Sequence, residues 1–460
     1  MRYTLSLTDV QYESLTSHLF STKTEMAAFM LCRFSHTSSE TRLLVREIIP
    51  VEAADVISAS GHHMEIRSQA YIRGMKKAHL GKQGFVFIHS HPPHYPEHSP
   101  QDDAEERKLF QTAHIRIDGA PVHASLVLSS PHLPVGRVWF ADGHTEPIER
   151  IRVIGKRFRF YFSPVEGQER VSPIFDRQVR AFGEDFQRIV RKLHIAVVGN
   201  GGTGSAVIEQ AIRLGAGEIS VFDQQCLANT NVTRVYGSRL VDVDLPKAKL
   251  MERMAADIGL GTVVHTYIGN VTSRANAERL RECDVVFCCT DDQWGRSILT
   301  RLALYYYIPV IDMGVKVDSE NGLIHSVQGR VTVLLPGAAC LFCRSRITPE
   351  GVAAESKQAA NPAEAEELRR QKYIPELEDA APAVIPFTTT VAASALIEFA
   401  HRLTGFMGED RTSTEILHLI DSGKVASNSR PPDPECNLCG STSVWGRGDV
   451  TPFMDMTWPD

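Results

Sequence analysis

The sequence predicts an α/β protein of two domains: a mixed α+β domain over residues 1–150 and, beyond a linker at 151–172, a second over 173–460 built on a parallel sheet. Three observations carry this. The strand-like runs of the second half, HIAVVG, EISVFD, DVVFCC and IPVIDMG, are apolar throughout instead of alternating, as strands covered on both faces are. Helical patterns such as TGSAVIEQAIRLGA stand between them, and parallel neighbours need such crossovers. The first half mixes helices and strands in a less regular order.

In chain order, a helical pattern (LTDVQYESLTSHLF) precedes the strands AAFMLCRF and RLLVREIIPV. A helix, IRSQAYIRGMKKAHL, leads into the strand GFVFIHS; the helix DDAEERKLFQTA and the strands HASLVLS and RVWFAD follow. SPVEGQERVSP marks a boundary, and FDRQVRAFGEDFQRIVRKL reads as one amphipathic helix before the parallel sheet begins. Residues 350–380 are Ala/Glu-rich and predict a helical excursion; the tail RGDVTPFMDMTWPD is irregular.

Composition narrows the class. With 49 basic against 55 acidic residues there is no electrostatic footprint for nucleic acid or an anionic membrane. The start, MRYTLSLTDVQYESL, has no signal-type apolar core, and the run LALYYYIPVI is too short to span a bilayer. Four of the nine cysteines form two C-x-x-C pairs, which points to metal in a reducing compartment and hence to a cytoplasmic protein.

The stretch HSHPPHYPEHSPQDD (89–103) closes an apolar strand with His89 and His91, which project to one face. Asp102 opens the next helix and offers a third ligand, with Asp103 as the alternative. Two imidazoles, a carboxylate and an open position suit catalytic zinc, whose bound water ionises near neutral pH. His94 and His98, like His62 and His63, read as solvated loop residues.

The H-S-H-P…S-x-x-D pattern resembles the JAB/MPN (JAMM) metalloisopeptidases over most of residues 1–145. The resemblance implies zinc ligation by His89, His91 and Asp102, and polarisation of the scissile carbonyl by Ser99. It also implies a glutamate base ahead of an early strand; Glu25 in TEMAAFMLCRF fits, with Glu40, Glu47 and Glu52 as alternatives.

In the second domain, IAVVGNGGTGSA ends a strand with Gly199, Gly201, Gly202 and Gly204 and opens a helix, where backbone amides can cradle phosphate. Asp223 ends the next strand, placed to take ribose hydroxyls. A nicotinamide-dependent oxidoreductase carries the same fingerprint. Asn231 and Arg234 in NVTR, Lys247 in LPKAK and Asp291 in CCTDD add two cations and a carboxylate, which suit a nucleoside triphosphate with magnesium. Cys340, Cys343, Cys436 and Cys439 make two knuckles of a closed structural zinc site. Lys249 reads as a solvated helix residue, Asp292 as a helix cap, and Asn229 as the alternative to Asn231.

This set, with D-R-Q at 176–178, resembles the Rossmann-like adenylating domain of ubiquitin-activating enzymes and their ThiF/MoeB-type sulfur-carrier relatives over roughly residues 172–445. The resemblance implies that Asp223 binds ribose, that Asn231, Arg234 and Lys247 contact phosphates, and that Asp291 handles magnesium. Arg177 would reach the nucleotide of the other subunit of a homodimer. The implied cofactors are ATP, magnesium and two zinc ions, one catalytic and one structural.

The implied partner is a ubiquitin-like protein ending in Gly-Gly, whose tail is adenylated by one domain and trimmed or deconjugated by the other. Such fusions resemble bacterial ubiquitin-like modification systems, some tied to anti-phage defence. The 350–386 excursion holds no cysteine for a thioester, and of Cys32, Cys226, Cys283, Cys288 and Cys289 only Cys226 stands near the presumed crevice. The adenylate could therefore pass to a conjugating enzyme or to a sulfur donor. Two rivals stand beside this reading: activation and trimming of a sulfur carrier for biosynthesis, and a first domain that only docks its partner.

Overall fold

The computed structural model describes residues 1–460 except 61–62, 94, 164–169, 371–381 and 459–460, and leaves the side chains of 367–369 undescribed. Its chain divides into two compact units. The first is Met1–Gln168 with Tyr305–Tyr307 and Trp445–Phe453; the second is Glu169–Leu304, Ile308–Val444 and Met454–Asp460.

The first unit holds β1 (Arg2–Thr8), α1 (Asp9–Leu19), β2 (Ala27–His36), β3 (Glu40–Pro50), β4 (Val56–Ala59), β5 (Met64–Ile66), α2 (Ser68–Gly81) and β6 (Gly84–Ser90). It continues with α3 (Pro100–Arg116), β7 (His123–Leu128), β8 (Pro134–Trp139), β9 (Thr145–Ile154) and β10 (Phe158–Phe162). Eight strands form one sheet in the order β1-β3-β2-β6-β7-β8-β9-β10, and β1 also pairs in parallel with β9, so the sheet curls back on itself. Alternate residues separate two cores. Leu15 and Leu19 of α1 pack with Met30, Val86 and Ile88; Met75 and Ala78 of α2 and Phe110 of α3 pack with Phe29, Phe85 and Phe87. Continuing the alternation past Phe85 and Phe87 puts His89 on the α2–α3 face.

Residues 151–162, read as the start of a linker, instead complete β9 and form β10. Their alternation of basic and aromatic residues is that of strands with one face buried. The boundary stretch SPVEGQERVSP lies largely outside the described residues. Trp445–Phe453, which takes in the start of the irregular tail, also belongs to the first unit.

The second unit holds α4 (Asp176–Phe182), α5 (Glu184–Lys192), β11 (His194–Val198), α6 (Gly202–Leu214), β12 (Glu218–Asp223), α7 (Lys247–Ile258), β13 (Val263–Ile268), α8 (Arg274–Arg279), β14 (Val285–Cys288) and α9 (Gln293–Tyr305). It ends with β15 (Val310–Glu320), β16 (Leu323–Leu334), α10 (Pro349–Ala360), α11 (Pro362–Arg370), α12 (Ile385–Thr404), β17 (Glu415–Leu419) and β18 (Lys424–Asn428). The sheet order is β13-β12-β11-β14-β15-β16-β17-β18. It is parallel from β13 to β15, as the apolar strands require, and antiparallel from β15 to β18, an extension the sequence pattern did not reveal. The single helix expected over 175–193 is two, broken at Gly183, whose φ of +84° suits only glycine. Helices α10 and α11 fill the described part of the excursion. Among the described residues no helix is long and apolar enough to cross a membrane.

Inside the first unit, Glu40 is a buried carboxylate joining three strands. It accepts from Arg42 (Nη2–Oε2 3.0 Å), Arg152 (Nη1–Oε1 2.9 Å) and Thr4. Burial alone would raise its pKa, but the Arg152 and Arg42 guanidinium groups outweigh burial and hold it well below the usual carboxylate range. A carboxylate depressed in the folded state stabilises above the unfolded value, and that stabilisation is lost as pH falls. Wild-type urea midpoints are therefore expected to drop as pH falls below roughly 4.3. Glu40→Gln is expected to cost about 3 kcal/mol or more at neutral pH, because two buried cations lose their counter-charge. Its midpoint should vary less with acid than that of the wild type.

Candidate functional site

In the second unit, β11 pairs in parallel with β12 on one side and β14 on the other. Connections leave these strands in opposite directions, so a crevice opens beyond their carboxyl ends. Each glycine of the turn after β11 has its own reason. Gly199 has φ +89°, and a Cβ there would lie 2.9 Å from the Cys289 and Thr290 backbone at the end of β14. A Cβ on Gly204 would collide with the Gly199 carbonyl oxygen. At Gly201 a Cβ would meet open space, on the side from which a ligand can approach the backbone. Gly202 begins α6 beside Thr388 and Arg234.

Asp223, at the end of β12, accepts the backbone N–H of Asn200 (2.6 Å) and of Gln225 (2.7 Å), which orients it across the turn. Buried Lys247 donates to Gln225 Oε1 (2.7 Å), and its carbonyl accepts from Asn200 Nδ2 (2.7 Å). Burial lowers the Lys247 pKa; Asp223 and Asp291 act against burial, and Arg234 acts with it. One ammonium therefore lies within electrostatic reach of all three charged side chains. Arg234 donates to Thr230 O (2.9 Å), and Asn231 lies one helical turn before it. Asp291 is exposed at the end of β14, while Asp292 takes the Gly295 N–H as a helix cap does. Lys249 pairs with Glu252 on the surface, and Arg177 is exposed on α4. Cys226 is exposed; Cys32, Cys283 and Cys288 are buried, and Cys289 is half-buried.

Cys340 and Cys343 follow β16, and Cys436 and Cys439 follow β18, so the antiparallel extension brings the two knuckles together. Their sulfurs all lie within 4.8 Å of one another. Contacts are 3.7 Å for Cys340–Cys343, 3.8 Å for Cys340–Cys436 and 3.4 Å for Cys343–Cys439, with no disulfide. Four free thiols at such spacing fit a tetrahedral metal.

In the first unit, His89, His91 and Asp102 also place their donor atoms within 4.8 Å. His89 Nε2 and His91 Nε2 lie 3.2 and 3.3 Å from the two oxygens of Asp102. His91 Nδ1 is 3.2 Å from the Tyr95 carbonyl; as the donor of that bond it leaves Nε2 free to ligate. Ser99 caps α3. It accepts from Asp102 N (3.1 Å) and donates to Asp102 Oδ2 (2.7 Å), so one helix cap orients the carboxylate. Burial would raise the pKa of Asp102, but bonds from His89 and His91 hold it far below its usual value.

The antiparallel register Ala27↔His89, with Met26 O accepting from Ser90 N, carries Glu25 to the level of His91. Both residues line a cavity of about 900 Å³ together with Asp102 and Ser99. Glu40 is consumed in its buried ion pairs and Glu47 pairs with Lys77. Asp103 turns to Arg137 instead of the histidines.

One expectation fails. His98 is not a solvated loop residue: its ring sits 3.3 Å from Ser125 Oγ, and burial, then Arg137, push its pKa down strongly. Around it, Glu106 accepts from Ser125 (2.6 Å) and Arg137 (2.7 Å), and Trp139 Nε1 donates to Ser125 (3.0 Å). The sequence reading missed Glu106; its one signal was standing four residues after Asp102 on the same helix face. His63 is exposed, as expected, whereas His62 and His94 lie outside the described residues.

Curated relatives match a little over a third of the chain. Among them are a "ubiquitin-activating enzyme E1-like" protein of Saccharomyces cerevisiae (24% identity, 37% of this chain and 26% of that protein) and the "SAMP-activating enzyme E1" of Haloferax volcanii (25%, 36% and 59%). The "sulfur carrier protein ThiS adenylyltransferase" of Bacillus subtilis is another (25%, 37% and 48%). The chain thus spans between about a quarter and three-fifths of these relatives' lengths. A crystal structure of E. coli MccB aligns at a TM-score of 0.47 and 16% identity, covering 60% of this chain and 76% of that one. Residues 175–439, more than half of the chain, match the ThiF family, and the protein is a member of that family.

Proposed function

We propose that the chain adenylates the C-terminal glycine of a ubiquitin-like protein and cleaves at the same tail with its N-terminal unit. The adenylation half is supported by one arrangement: Asp223 and the Lys247 carbonyl both bond Asn200 of the glycine turn, and Arg234 lies beside Gly202, where the strand order reverses. A glycine carboxylate attacks the α-phosphorus of ATP, the bond to the bridging oxygen breaks, and pyrophosphate leaves. Both reactants are anions, so the work is positioning and charge neutralisation. In this reading the amides at Gly201–Gly204 and the side chains of Asn231, Arg234 and Lys247 hold phosphates. Asp223 takes the ribose, Asp291 holds magnesium, and Arg177 reaches across a homodimer. The names of the relatives, ubiquitin-activating and ThiS-adenylylating, support this substrate class.

For the N-terminal unit we read a JAB/MPN-type metalloprotease in which His89, His91 and Asp102 hold zinc. Zinc bound there supplies an ionised water near neutral pH. Glu25, at the level of His91, would act as the base toward such a water, and Ser99 would turn its hydroxyl from Asp102 to the scissile carbonyl. The four cysteines hold a second, structural zinc. The chain would then serve a ubiquitin-like modification system of the bacterial type, with the adenylate passing to a conjugating enzyme. A sulfur carrier is the second reading, favoured by the absence of cysteine from residues 350–386. Thiocarboxylate on the product, in place of a thioester to a conjugating enzyme, would select it.

ATP–pyrophosphate exchange with a protein ending in Gly-Gly tests the first half. Exchange is expected for wild type and a fall of about 10²-fold or more for Asp291→Ala; no exchange with any such protein refutes adenylation. Metal analysis tests the second half. Two zinc ions per chain are expected, one at each cluster. His89→Ala should lose one of them together with cleavage of a tail-extended substrate, and Cys436→Ser the other. A single zinc in wild type, with no cleavage, would leave the N-terminal unit a docking module.

A further inference from the structure

The two imidazoles of the His89–His91–Asp102 cluster are not equally explained. His91 has the Tyr95 carbonyl at its Nδ1. His89 is as deeply buried, yet its Nδ1 has no hydrogen-bond partner among the described residues. Glu106 carries the matching deficit. Its Oε2 is taken by Ser125 Oγ (2.6 Å) and by Arg137 Nη2 (2.7 Å) and Nε (3.2 Å), while Oε1, also buried, has no partner.

The unpaired donor and the unpaired acceptor belong to neighbouring groups. Glu106 stands one helical turn beyond Asp102, whose oxygen is 3.2 Å from His89 Nε2. The parallel register Phe87↔Ser125 and His89↔Val127 puts His89 and the Ser125 that holds Glu106 on one face of adjacent strands. Glu106 and His89 line the same cavity. Arg137, itself paired with Asp103, fixes the carboxylate from behind.

We propose that Glu106 is a positioning residue for His89: the two atoms are not bonded to each other in this structure, and when the corner shared with His91 and Asp102 is filled the free oxygen takes the Nδ1 proton of the imidazole and so directs the Nε2 lone pair to that corner. This rests on reading those three residues as zinc ligands. A ligating histidine gains basicity and a fixed tautomer from such an acceptor. Asp103, one residue past the ligand, then acts through Arg137 to hold the acceptor in place.

The test is zinc affinity of the full chain, by competition with a chromophoric chelator, for wild type and Glu106→Gln. The amide oxygen can still accept from Ser125 and Arg137, but its NH2 group faces His89 Nδ1 and favours the tautomer protonated at Nε2. Two zinc ions are expected in wild type, and Glu106→Gln should bind about 10–100-fold more weakly the one that His89→Ala loses, with the cysteine-bound zinc unchanged. Equal affinity overturns the role of Glu106 and leaves the zinc reading standing; a wild type holding only the cysteine-bound zinc overturns both. Should Glu106→Gln not fold, nitrogen-15 histidine spectra of zinc-loaded wild type decide. A slowly exchanging, low-field Nδ1 proton on His89 is expected, and a freely exchanging one overturns the proposal.

Discussion

A carboxylate with no exposed surface holds the second unit together. Asp312 lies on β15, the strand at which the sheet turns from parallel to antiparallel, between Arg296 (3.1 Å) and Arg330. A buried charge is tolerable only when paired and hydrogen-bonded. The pairing propagates: Arg330 donates to Thr332, Thr332 to Glu415, and Glu415 receives Arg344 and Arg346 just past Cys343. At the other end Arg296 sits in α9, directly after the Thr290–Asp292 turn. The crevice end of the parallel sheet and the cysteine cluster beyond its antiparallel extension are thus joined by one continuous polar network. It crosses three neighbouring strands, β15, β16 and β17.

The first unit solves a similar problem more locally. Ser99 and Asp102 satisfy the orphan amides at the start of α3, and the same capping pair aims the Asp102 carboxylate at two imidazoles. A group that terminates a helix is held in one rotamer by the backbone it caps. It can therefore be positioned without a dedicated scaffold.

Much of the second unit was legible because its signals are local. A glycine turn is written in what residues lack: a Cβ at Gly204 would strike the Gly199 carbonyl, and no spacing argument is needed beyond the motif itself. C-x-x-C pairs announce convergence through ligand chemistry, since isolated thiols rarely come in such knuckles. The antiparallel strands β16 to β18 were not legible. Two of them are short, the partly exposed β17 and the exposed edge strand β18, and neither has the apolar run or clean alternation that marks a strand. The break at Gly183 was hidden for a related reason, because a helical period continues across one glycine on paper.

His98 and Glu106 show where residue-by-residue reading ends. A histidine in a proline-rich loop looks solvated, and a glutamate on a charged helix looks like its neighbours; Ser125 and the Arg137 guanidinium give both a different environment. The sequence by itself determined the chemistry on offer: two histidines at the end of one strand, a capping Ser-x-x-Asp, a glycine turn, and four paired cysteines. Only the tertiary structure decided which carboxylates face that chemistry. It brought Glu25 level with His91 while Glu40 and Glu47 were spent on ion pairs, and it turned Asp102 to the histidines and Asp103 to Arg137. Those choices follow from strand register and helix phase, which are set by packing between distant segments and not by spacing along the chain.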